Sequence, residues 1–300
     1  MQVYIGIDGG GTKTRTVVFT EQGTQLHDLT TAGCNINHHG WSGAEASLRE
    51  LFDQLRATLP PTAQVAAICL GLAGIDREPE RLRMEFWVAN QWPEAAVRVV
   101  HDALIALAAG TEQREGIVLI AGTGSVAYGR NAAGVEARVG GWGYLLGDEG
   151  SGYDIGRRAL TAVLRQNDGR DPQTALTELV LNSYGLREPT ELIPLVYGEA
   201  ASREQVARAA HLVFEAAASG DAVALSLLAY AAGELAAHVV ALLQKMNFTA
   251  QRIPVVLAGG LFFAESPLRG LLATALPDHI ELRLGQPPVF GALRLAQAGR

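Results

Sequence analysis

The chain has 300 residues, of which 48% are hydrophobic, and a formal net charge of −7 at pH 7. This length is enough for one large or two medium domains, each with its own core. The acidic balance and the lack of a basic run argue against a nucleic-acid-binding protein. No stretch of about 20 residues lacks polar groups, so a membrane span is not predicted either. Two cysteines and a first strand that starts at Val3 lead us to expect a cytoplasmic protein without a signal peptide.

The N-terminal stretch carries the strongest pattern in the chain. An apolar run from Val3 to Ile7 ends in Asp8 and three glycines, and a second β-rich run, Thr14 to Thr20, follows. A glycine tip leaves successive N–H groups free to converge on phosphate oxygens. Asp8 is well placed to hold a hydrated Mg²⁺ beside those phosphates. We therefore predict a nucleotide triphosphate site, the alternative being a glycine-tipped hairpin that binds nothing.

Two commoner phosphate loops do not fit this tip. The segment from Gly6 to Lys13 nearly spells the Walker A pattern, but it ends in Gly11-Thr12-Lys13 and no helix follows. The dinucleotide-binding fingerprint fails because strand again follows the loop and the third glycine is missing. Thr12 and Lys13 then add a hydroxyl group and a cation at the rim of the loop.

The rest of the first half predicts the element order βββαβαβα. We expect residues Ala32 to Gly40 to form a surface loop, in which Asn35 and Asn37 could hydrogen-bond a polyhydroxylated ligand. His38 and His39 are adjacent, so their side chains should diverge, and no metal site is predicted there. The predicted elements are a third strand from Gln25 to Leu29, helices Gly43–Leu59, Glu78–Trp92 and Ala103–Ala109, and strands Val65–Leu70 and Val97–Val100.

Asp102 follows the strand that ends at Val100. In open α/β sheets ligands bind at this carboxyl edge, where a carboxylate can accept a proton from a substrate hydroxyl group. Asp102 could equally be the N-cap of the helix from Ala103 to Ala109. The residues alone leave both interpretations open.

The opening pattern recurs in the second half of the chain. An apolar strand, Ile117–Ala121, leads to the tip Gly122-Thr123-Gly124-Ser125, and return strands are predicted for Val126–Gly129 and Val135–Val139. The chain thus consists of two halves that begin alike, and two such tips facing one another would hold phosphates from both sides.

The segment from Gly140 to Tyr153 is unusually rich in glycine, with acidic and aromatic residues between, which a segment that only packs in a core would not need. The remaining predicted elements are a helix Ile155–Arg165, consecutive helices over residues 173–245, a strand Ile253–Leu257 with a tight strand-to-helix turn at Ala258-Gly259-Gly260, a helix Ser266–Ala275, an edge strand Ile280–Leu284 and a final helix that begins after Pro287.

Together these motifs resemble the N-acetylglucosamine kinase family, within the BadF/BadG/BcrA/BcrD-type ATPases of the actin, hexokinase and Hsp70 superfamily. The motifs that carry the resemblance are Asp8-Gly9-Gly10-Gly11-Thr12, Gly122-Thr123-Gly124-Ser125, Gly141-Trp142-Gly143, Gly147-Asp148-Glu149-Gly150-Ser151, Ala258-Gly259-Gly260 and Gly291-Ala292. The match runs from about Tyr4 to about Leu295.

The resemblance implies an α/β protein of two ribonuclease H-like (actin-like ATPase) domains. Each would have a mixed five-stranded sheet flanked by helices, with a cleft between the domains for ATP, Mg²⁺ and the sugar. The expected N-terminal domain comprises residues 1–112 and 289–300, and the C-terminal domain comprises residues 113–288 with a helical insertion. Separately, we expect a homodimer that forms through the helical second half of the chain.

The resemblance further assigns roles to individual residues. Asp102 corresponds to the catalytic base, and Asp8 to the acid that holds the metal through water. Trp142 would place a flat apolar face against the pyranose ring. The expected ATP contacts are Gly10, Gly11, Thr12, Lys13, Thr123, Gly259 and Gly260, and the expected sugar contacts are Asn35, Asp102, Gly141, Trp142, Gly143 and Asp148.

The sugar itself stays open between N-acetylglucosamine, glucosamine and a murein-derived sugar. Phosphorylation of the 6-hydroxyl group is implied by the family alone. One alternative is an activator-type ATPase that switches a partner protein, but its iron–sulfur cluster would need cysteines, and residues 115–300 contain none. Another is a non-catalytic sugar sensor, for which no DNA-binding extension is expected in these 300 residues. The cysteine-rich zinc motif of another sugar-kinase family is also missing.

Overall fold

A computed structural model describes residues 1–75, 77–112, 115–198 and 202–299. Its first elements are β1 Gln2–Gly9, β2 Lys13–Thr20, β3 Gln25–Ala32, α1 Ile36–Thr58, β4 Gln64–Leu72, α2 Glu78–Gln91, β5 Ala96–His101 and α3 Asp102–Gly110. Then follow β6 Gly116–Ala121, β7 Ser125–Arg130, β8 Glu136–Gly140, α4 Gly152–Asn167, α5 Leu176–Tyr184, a 3-10 turn Pro189–Glu191, α6 Leu192–Tyr197, α7 Arg203–Ala218, α8 Ala222–Lys245, β9 Ile253–Ala258, α9 Pro267–Ala275, β10 Ile280–Leu284 and α10 Pro288–Gln297.

The chain divides into two compact units. Unit 1 comprises Met1–Glu115 and Gly285–Arg300, and unit 2 comprises Gly116–Leu284. The last helix, α10, therefore returns to unit 1, where the guanidinium of Arg294 donates hydrogen bonds to two carbonyl groups at the end of α3.

Each unit contains one mixed five-stranded sheet, as predicted. The strand order is β3-β2-β1-β4-β5 in unit 1 and β10-β9-β6-β7-β8 in unit 2. In both sheets the first three strands of the unit pair antiparallel, and the two later strands add in parallel beside the first. The prediction of two halves that begin alike is confirmed, and the element order βββαβαβα of the first half is confirmed as well.

The side chains of β1 alternate between the two faces of its sheet, and this explains how the sheet packs. Val3, Ile5 and Ile7 are fully buried on one face, against Leu48 and Phe52 of α1. The intervening residues face α10, and Gly6 has no room for a side chain because a Cβ atom would lie 2.5 Å from the backbone nitrogen of Leu293. Asp8 shares the face of Gly6, since successive side chains of a strand alternate.

The helix α8 is the core helix of unit 2. Among the described residues, α8 is the one helix whose length and apolar composition would allow it to cross a membrane. Its residues Leu228, Leu235 and Val239 are fully buried in the core of unit 2, where they pack with strand residues such as Leu119. We therefore assign α8 to the hydrophobic core of unit 2.

Candidate functional site

The carboxylates of Asp8 and Asp102 belong to the same edge of the first sheet. Asp8 pairs with Gly71 of β4, and Gly71 pairs with Val100 of β5, two residues before Asp102. Because the three strands are parallel, their carboxyl ends share one edge. Burial, and next the negative charge of Asp102, raise the pKa of Asp8 to about 6, although neighbouring cations partly offset this. The two predicted acids of unit 1 are therefore electrostatically coupled.

Asp102 begins α3, but it is not the residue that caps the helix. The N-cap is His101, whose Nδ1 accepts a hydrogen bond of 3.2 Å from the N–H of Leu104. The alternative in which Asp102 serves as the N-cap is therefore wrong, because the imidazole of His101 already satisfies that part of the helix terminus. Asp102 is a half-buried carboxylate in the first turn, where the helix dipole favours negative charge.

The glycine loop between β1 and β2 is fixed through its carbonyl groups. The carbonyl oxygen of Gly10 accepts hydrogen bonds from the N–H groups of Cys34 and Asn35, at 3.0 and 3.2 Å. The N–H of Gly10 donates to the carbonyl oxygen of Lys13 at 3.0 Å, which closes the loop. Thr12 and Lys13 are exposed at the rim, where the sequence predicted them.

The segment that holds the glycine loop is itself buried. Gly33 approaches so closely that a Cβ atom on it would collide with the carbonyl oxygen of Gly11. The Sγ of Cys34 accepts a hydrogen bond of 3.3 Å from the hydroxyl group of Thr14. Burial raises the pKa of the Cys34 thiol to about 11, so this thiol is neutral and acts as packing under the loop.

Asn35 is the N-cap of α1. Its Oδ1 accepts a hydrogen bond of 2.8 Å from the N–H of Asn37, and the helix starts at Ile36. The prediction of a surface loop from Ala32 to Gly40 is therefore wrong over most of its length. The strand β3 extends to Ala32, and Asn35, which is typical of a loop in composition, is the N-cap of a helical turn. The side-chain oxygen of Asn35 therefore serves the helix cap.

In unit 2, the tip Gly122 to Ser125 is joined to the loop between β8 and α4. The hydroxyl group of Ser125 donates to the carbonyl oxygen of Glu149 at 2.7 Å. The N–H of Gly152 donates to the carbonyl oxygen of Gly122, also at 2.7 Å. Two segments that the sequence singled out separately therefore form one structure.

Asp148 lies at the centre of that junction. It is 4% exposed, and its Oδ1 accepts a hydrogen bond of 3.4 Å from the N–H of Ser125. Among the described residues, Asp148 alone has a positive φ without being glycine, with a φ of 58°. Burial raises the pKa of Asp148, although the hydrogen bond from Ser125 opposes this. A buried acid in an uncommon backbone conformation is a feature that functional sites often contain.

Trp142 stands on the exposed part of the same loop. Its side chain is 65% exposed, and the Arg138 guanidinium lies over the indole ring at 4.9 Å. The flanking glycines, Gly141 and Gly143, have φ values of 70° and 85°. These left-handed conformations need glycine and turn the indole outwards. Gly141, Trp142, Gly143 and Asp148 are thus brought together on one loop of unit 2.

Gly259 and Gly260 follow β9 and pass the end of β6. Gly259 has a φ of 97°, and a Cβ atom on it would collide with the carbonyl oxygen of Ala121. The N–H of Leu261 donates to that same oxygen at 3.1 Å. The prediction of a tight strand-to-helix turn here is wrong, because the next helix begins only at Pro267.

A cavity of about 360 Å³ opens beside these glycines, within unit 2. It brings together Thr123 and Gly260, two of the residues predicted to contact ATP, with residues of α7 that the sequence analysis missed. The α7 residues Glu204, Arg208 and His211 recur at helical spacing and so share one face of an alanine-rich helix, a signal that could have identified them. The lining residues are Gly122, Thr123, Gly152, Glu204, Ala207, Arg208, His211, Gly260 and Leu261.

Within the described part of the chain, no group of three or more His, Cys, Asp or Glu side chains could hold a metal ion. A metal held by protein side chains alone is therefore not indicated there. A single carboxylate such as Asp8, with the remaining positions filled by water and phosphate oxygens, is the common arrangement for Mg²⁺.

The whole chain is similar in sequence to known proteins. The N-acetylmuramic acid/N-acetylglucosamine kinase of Clostridium acetobutylicum is 34% identical over 303 residues, which cover 99% of both chains. The N-acetyl-D-glucosamine kinase of Dictyostelium discoideum is also 34% identical, over 98% of both chains. The solved structure of a candidate N-acetylglucosamine kinase from Chromobacterium violaceum is 28% identical and covers 98% of this chain and 99% of its own, with a TM-score of 0.70.

The family model that describes the BadF/BadG/BcrA/BcrD ATPases matches residues 5–281. This range contains Asp8 of β1, the tip at Thr123, the loop with Asp148 and the turn at Gly259. On this match and the two full-length relatives, the chain belongs to the BadF/BadG/BcrA/BcrD ATPase family.

Proposed function

We propose that this protein is an ATP-dependent kinase that phosphorylates an amino sugar, N-acetylglucosamine or glucosamine, on its 6-hydroxyl group, with Asp102 as the general base. The observation that carries the proposal is that Asp8 and Asp102 lie at one sheet edge, beside a glycine loop, where the charge of Asp102 contributes to raising the pKa of Asp8. Transfer of a phosphoryl group to an alcohol needs these parts: a carboxylate to accept the proton, an acid near the metal, and amides for the phosphates.

The residues of unit 1 fit the phosphate end of a nucleotide. Gly11 and Thr12 offer backbone N–H groups, and Thr12 and Lys13 add a hydroxyl group and a cation at the exposed rim. Gly10 would shape the loop, because its N–H already donates to the carbonyl oxygen of Lys13. Asp8 would hold the Mg²⁺ through water, and ionised Asp8 would gain a counter-ion for a charge that burial and Asp102 now disfavour. ATP and Mg²⁺, when bound, supply the phosphoryl group and neutralise its charge.

The residues of unit 2 fit the nucleoside end. Small-molecule sites in proteins usually have volumes of about 300 Å³ or more, and the cavity beside Thr123 and Gly260 reaches about 360 Å³. Arg208 and His211 line it and would offer a cation and an imidazole to the ribose or the base. Gly259 would shape the turn rather than contact the nucleotide directly, because its α-carbon faces the carbonyl oxygen of Ala121.

For the sugar, we propose Asn35 and Asp102 from unit 1, with Gly141, Trp142, Gly143 and Asp148 from unit 2. Trp142 is exposed enough to pack against a pyranose ring. The buried Asp148 would hold the glycine-rich loop in shape and accept a hydrogen bond from a sugar hydroxyl group. Polar groups placed in this way discriminate sharply against a sugar that leaves them unpaired. A homodimer in the cytoplasm is part of the same proposal.

The proposal is tested by a coupled ADP-release assay with ATP and Mg²⁺. N-acetylglucosamine, glucosamine, N-acetylmannosamine, glucose, N-acetylmuramic acid and no sugar are compared, and the phosphorylated position is read from the ³¹P–¹H couplings of the product. We expect release to be stimulated by N-acetylglucosamine or glucosamine. ADP release that no sugar alters would contradict the proposal and favour an ATPase that switches a partner.

A further inference from the structure

His39 makes a direct contact with the glycine loop. Its Nε2 lies 2.7 Å from the carbonyl oxygen of Gly11. A carbonyl oxygen can only accept a hydrogen bond, so Nε2 must carry the proton and donate. The backbone N–H of Asn35, four residues before His39, is bonded to the same loop. The turn that begins α1 is therefore attached to the loop at both of its ends.

These attachments decide where the loop N–H groups point. In a trans peptide the C=O and N–H groups point in opposite directions. The carbonyl of Gly10 is held by Cys34 and Asn35, and the carbonyl of Gly11 is held by His39, so both face the segment 34–39. The N–H groups of the two following residues, Gly11 and Thr12, therefore point away from that segment. Successive N–H groups with this orientation form an anion site.

A break in α1 is what gives His39 this position. Gly40 has a φ of 66° and a ψ of 176°, which interrupts the helix directly after His39. A Cβ atom on Gly40 would meet nothing within 4 Å, so the glycine is required by its backbone conformation rather than by lack of space. The residues Ile36–His39 are thus one separate turn, capped by Asn35, that places an imidazole on the loop.

We propose that His39 is a positioning residue for the phosphate-binding loop: its Nε2–H group holds the Gly11 carbonyl so that the Thr12 N–H faces the β- and γ-phosphates. The inference rests on the proposed function for the identity of the ligand. It assigns His39 no contact with the nucleotide and no part in proton transfer. Its effect is on the nucleotide phosphates, so we expect the affinity for the sugar not to depend on it.

The test compares three substitutions at one position. His39→Gln keeps a donor near the place of Nε2, His39→Asn carries a donor too short to reach the carbonyl, and His39→Ala has no donor. His38→Ala is the matched control, because His38 is also an exposed imidazole and its ring also lies beside Gly11. Binding of AMPPNP and of AMP, each with Mg²⁺ and without sugar, is measured by calorimetry, and the KM values for ATP and sugar are measured separately.

We expect His39→Ala and His39→Asn to weaken AMPPNP binding about tenfold, the effect of one hydrogen bond to a charged group. AMP, which lacks the β- and γ-phosphates, should bind as in the wild type. In both variants the KM for ATP should rise while the KM for the sugar stays unchanged. His39→Gln should retain most of the wild-type affinity for AMPPNP.

Unchanged AMPPNP binding in His39→Ala would overturn the inference. Equal weakening of AMP and AMPPNP, or equal effects of His38→Ala and His39→Ala, would overturn it too, because either result would indicate a general disturbance of the fold. If AMPPNP binding weakens in His39→Ala as expected but the wild-type protein phosphorylates no sugar, the proposed function would be contradicted and this inference would remain intact.

Discussion

The charge of Asp102 acts on Asp8 across one intervening strand. Together with burial, which is the larger cause, it raises the pKa of Asp8 to about 6. Two carboxylates that share a site cannot both ionise freely, so the ionisation of one depends on the other. In the proposed kinase one acid serves the metal and the other serves the sugar hydroxyl group, and this coupling links the two roles.

The first prediction follows from this coupling. Asp102→Asn removes the nearby charge, so the pKa of Asp8 should fall below about 6 while burial still keeps it above the ordinary value of 3.8. The titration of the Asp8 carboxyl carbon by NMR measures this directly in the protein without nucleotide. Asp53→Asn, which removes an exposed carboxylate of α1, is the control and should leave the titration unchanged. An Asp8 midpoint that Asp102→Asn does not move would contradict the coupling.

The second prediction concerns catalysis by Asp102. Asp102→Asn should fold normally and bind AMPPNP, yet kcat should fall by at least about a hundredfold, the lower end of what a positioned base contributes. Turnover with the preferred sugar and AMPPNP affinity are measured on the same preparation, again with Asp53→Asn as the control. Turnover close to that of the wild type would remove Asp102 as the base.

The third prediction concerns stability and His238. This buried residue of α8 has its Nε2 3.7 Å from a carboxylate oxygen of Glu149. Burial lowers the pKa of His238 below its ordinary value of 6.5, although Glu149, Glu234 and Asp148 oppose the shift. The folded state therefore resists protonation. As the pH falls through 6.5, the unfolded state takes up a proton first, and stability is lost.

Denaturant unfolding at pH 7.5 and pH 5.5 should accordingly show a decrease in the free energy of unfolding that is smaller in His238→Gln than in the wild type. His279→Gln, at an exposed histidine of the same unit, should keep the decrease of the wild type. Parallel pH dependence in His238→Gln and the wild type would show that His238 is not the group responsible.

The fourth prediction separates two contributions of Asp148, the one from its backbone conformation and the one from its carboxylate. Asp148→Ala should lower the free energy of unfolding by about 1–3 kcal/mol, because the N–H of Ser125 loses its acceptor and alanine disfavours a positive φ. Asn tolerates that conformation and retains an oxygen, so Asp148→Asn should cost less. If Asp148 also binds the sugar, Asp148→Asn should raise the KM for the sugar and leave the KM for ATP unchanged. Equal stability losses in both variants would contradict this account.

The fifth prediction concerns the cavity of unit 2. A Cβ atom on Gly260 would meet nothing within 4 Å, so Gly260→Leu should fold, and its side chain should occupy space that the nucleoside needs. We expect the KM for ATP to rise at least about tenfold, since well-packed sites tolerate extra atoms poorly, with a smaller change for the sugar. Gly233→Leu, an equally open glycine on the exposed face of α8, is the control. Unaltered ATP kinetics in Gly260→Leu would place the nucleoside elsewhere.

Secondary structure was predicted correctly from the sequence where neighbouring residues determine it. The strands β1 and β6 are apolar runs that end in glycine tips, and both were identified, as was the edge strand Ile280–Leu284. The start of α1 was missed because Asn35 and Gly40 look like loop residues in composition, although one caps a helix and the other interrupts it. The turn at Gly259 was misjudged because its shape depends on Ala121, a contact distant in sequence.

In the candidate site, too, the sequence indicated the residues with a local signal and not those whose role depends on distant contacts. Asp8, the glycine loop and Asp148 stand out in the sequence because acids and consecutive glycines are conspicuous there. His39 and the α7 residues Arg208 and His211 do not, since their significance depends on which loop or cavity they face. A lone imidazole acquires a role only when the fold places an acceptor such as the Gly11 carbonyl within reach.

The burial of Cys34 has a practical consequence. Its thiol lies beneath the glycine loop, accepts a hydrogen bond from Thr14 and has its pKa raised to about 11. Thiol reagents should therefore react with it very slowly in the native state. The Cys69 thiol, inside β4, is similarly protected, with its pKa raised to about 12. In a Cys69→Ala variant, the labelling rate of Cys34 would therefore time the spontaneous openings of the loop. Its slowing by AMPPNP would report nucleotide binding without any added probe.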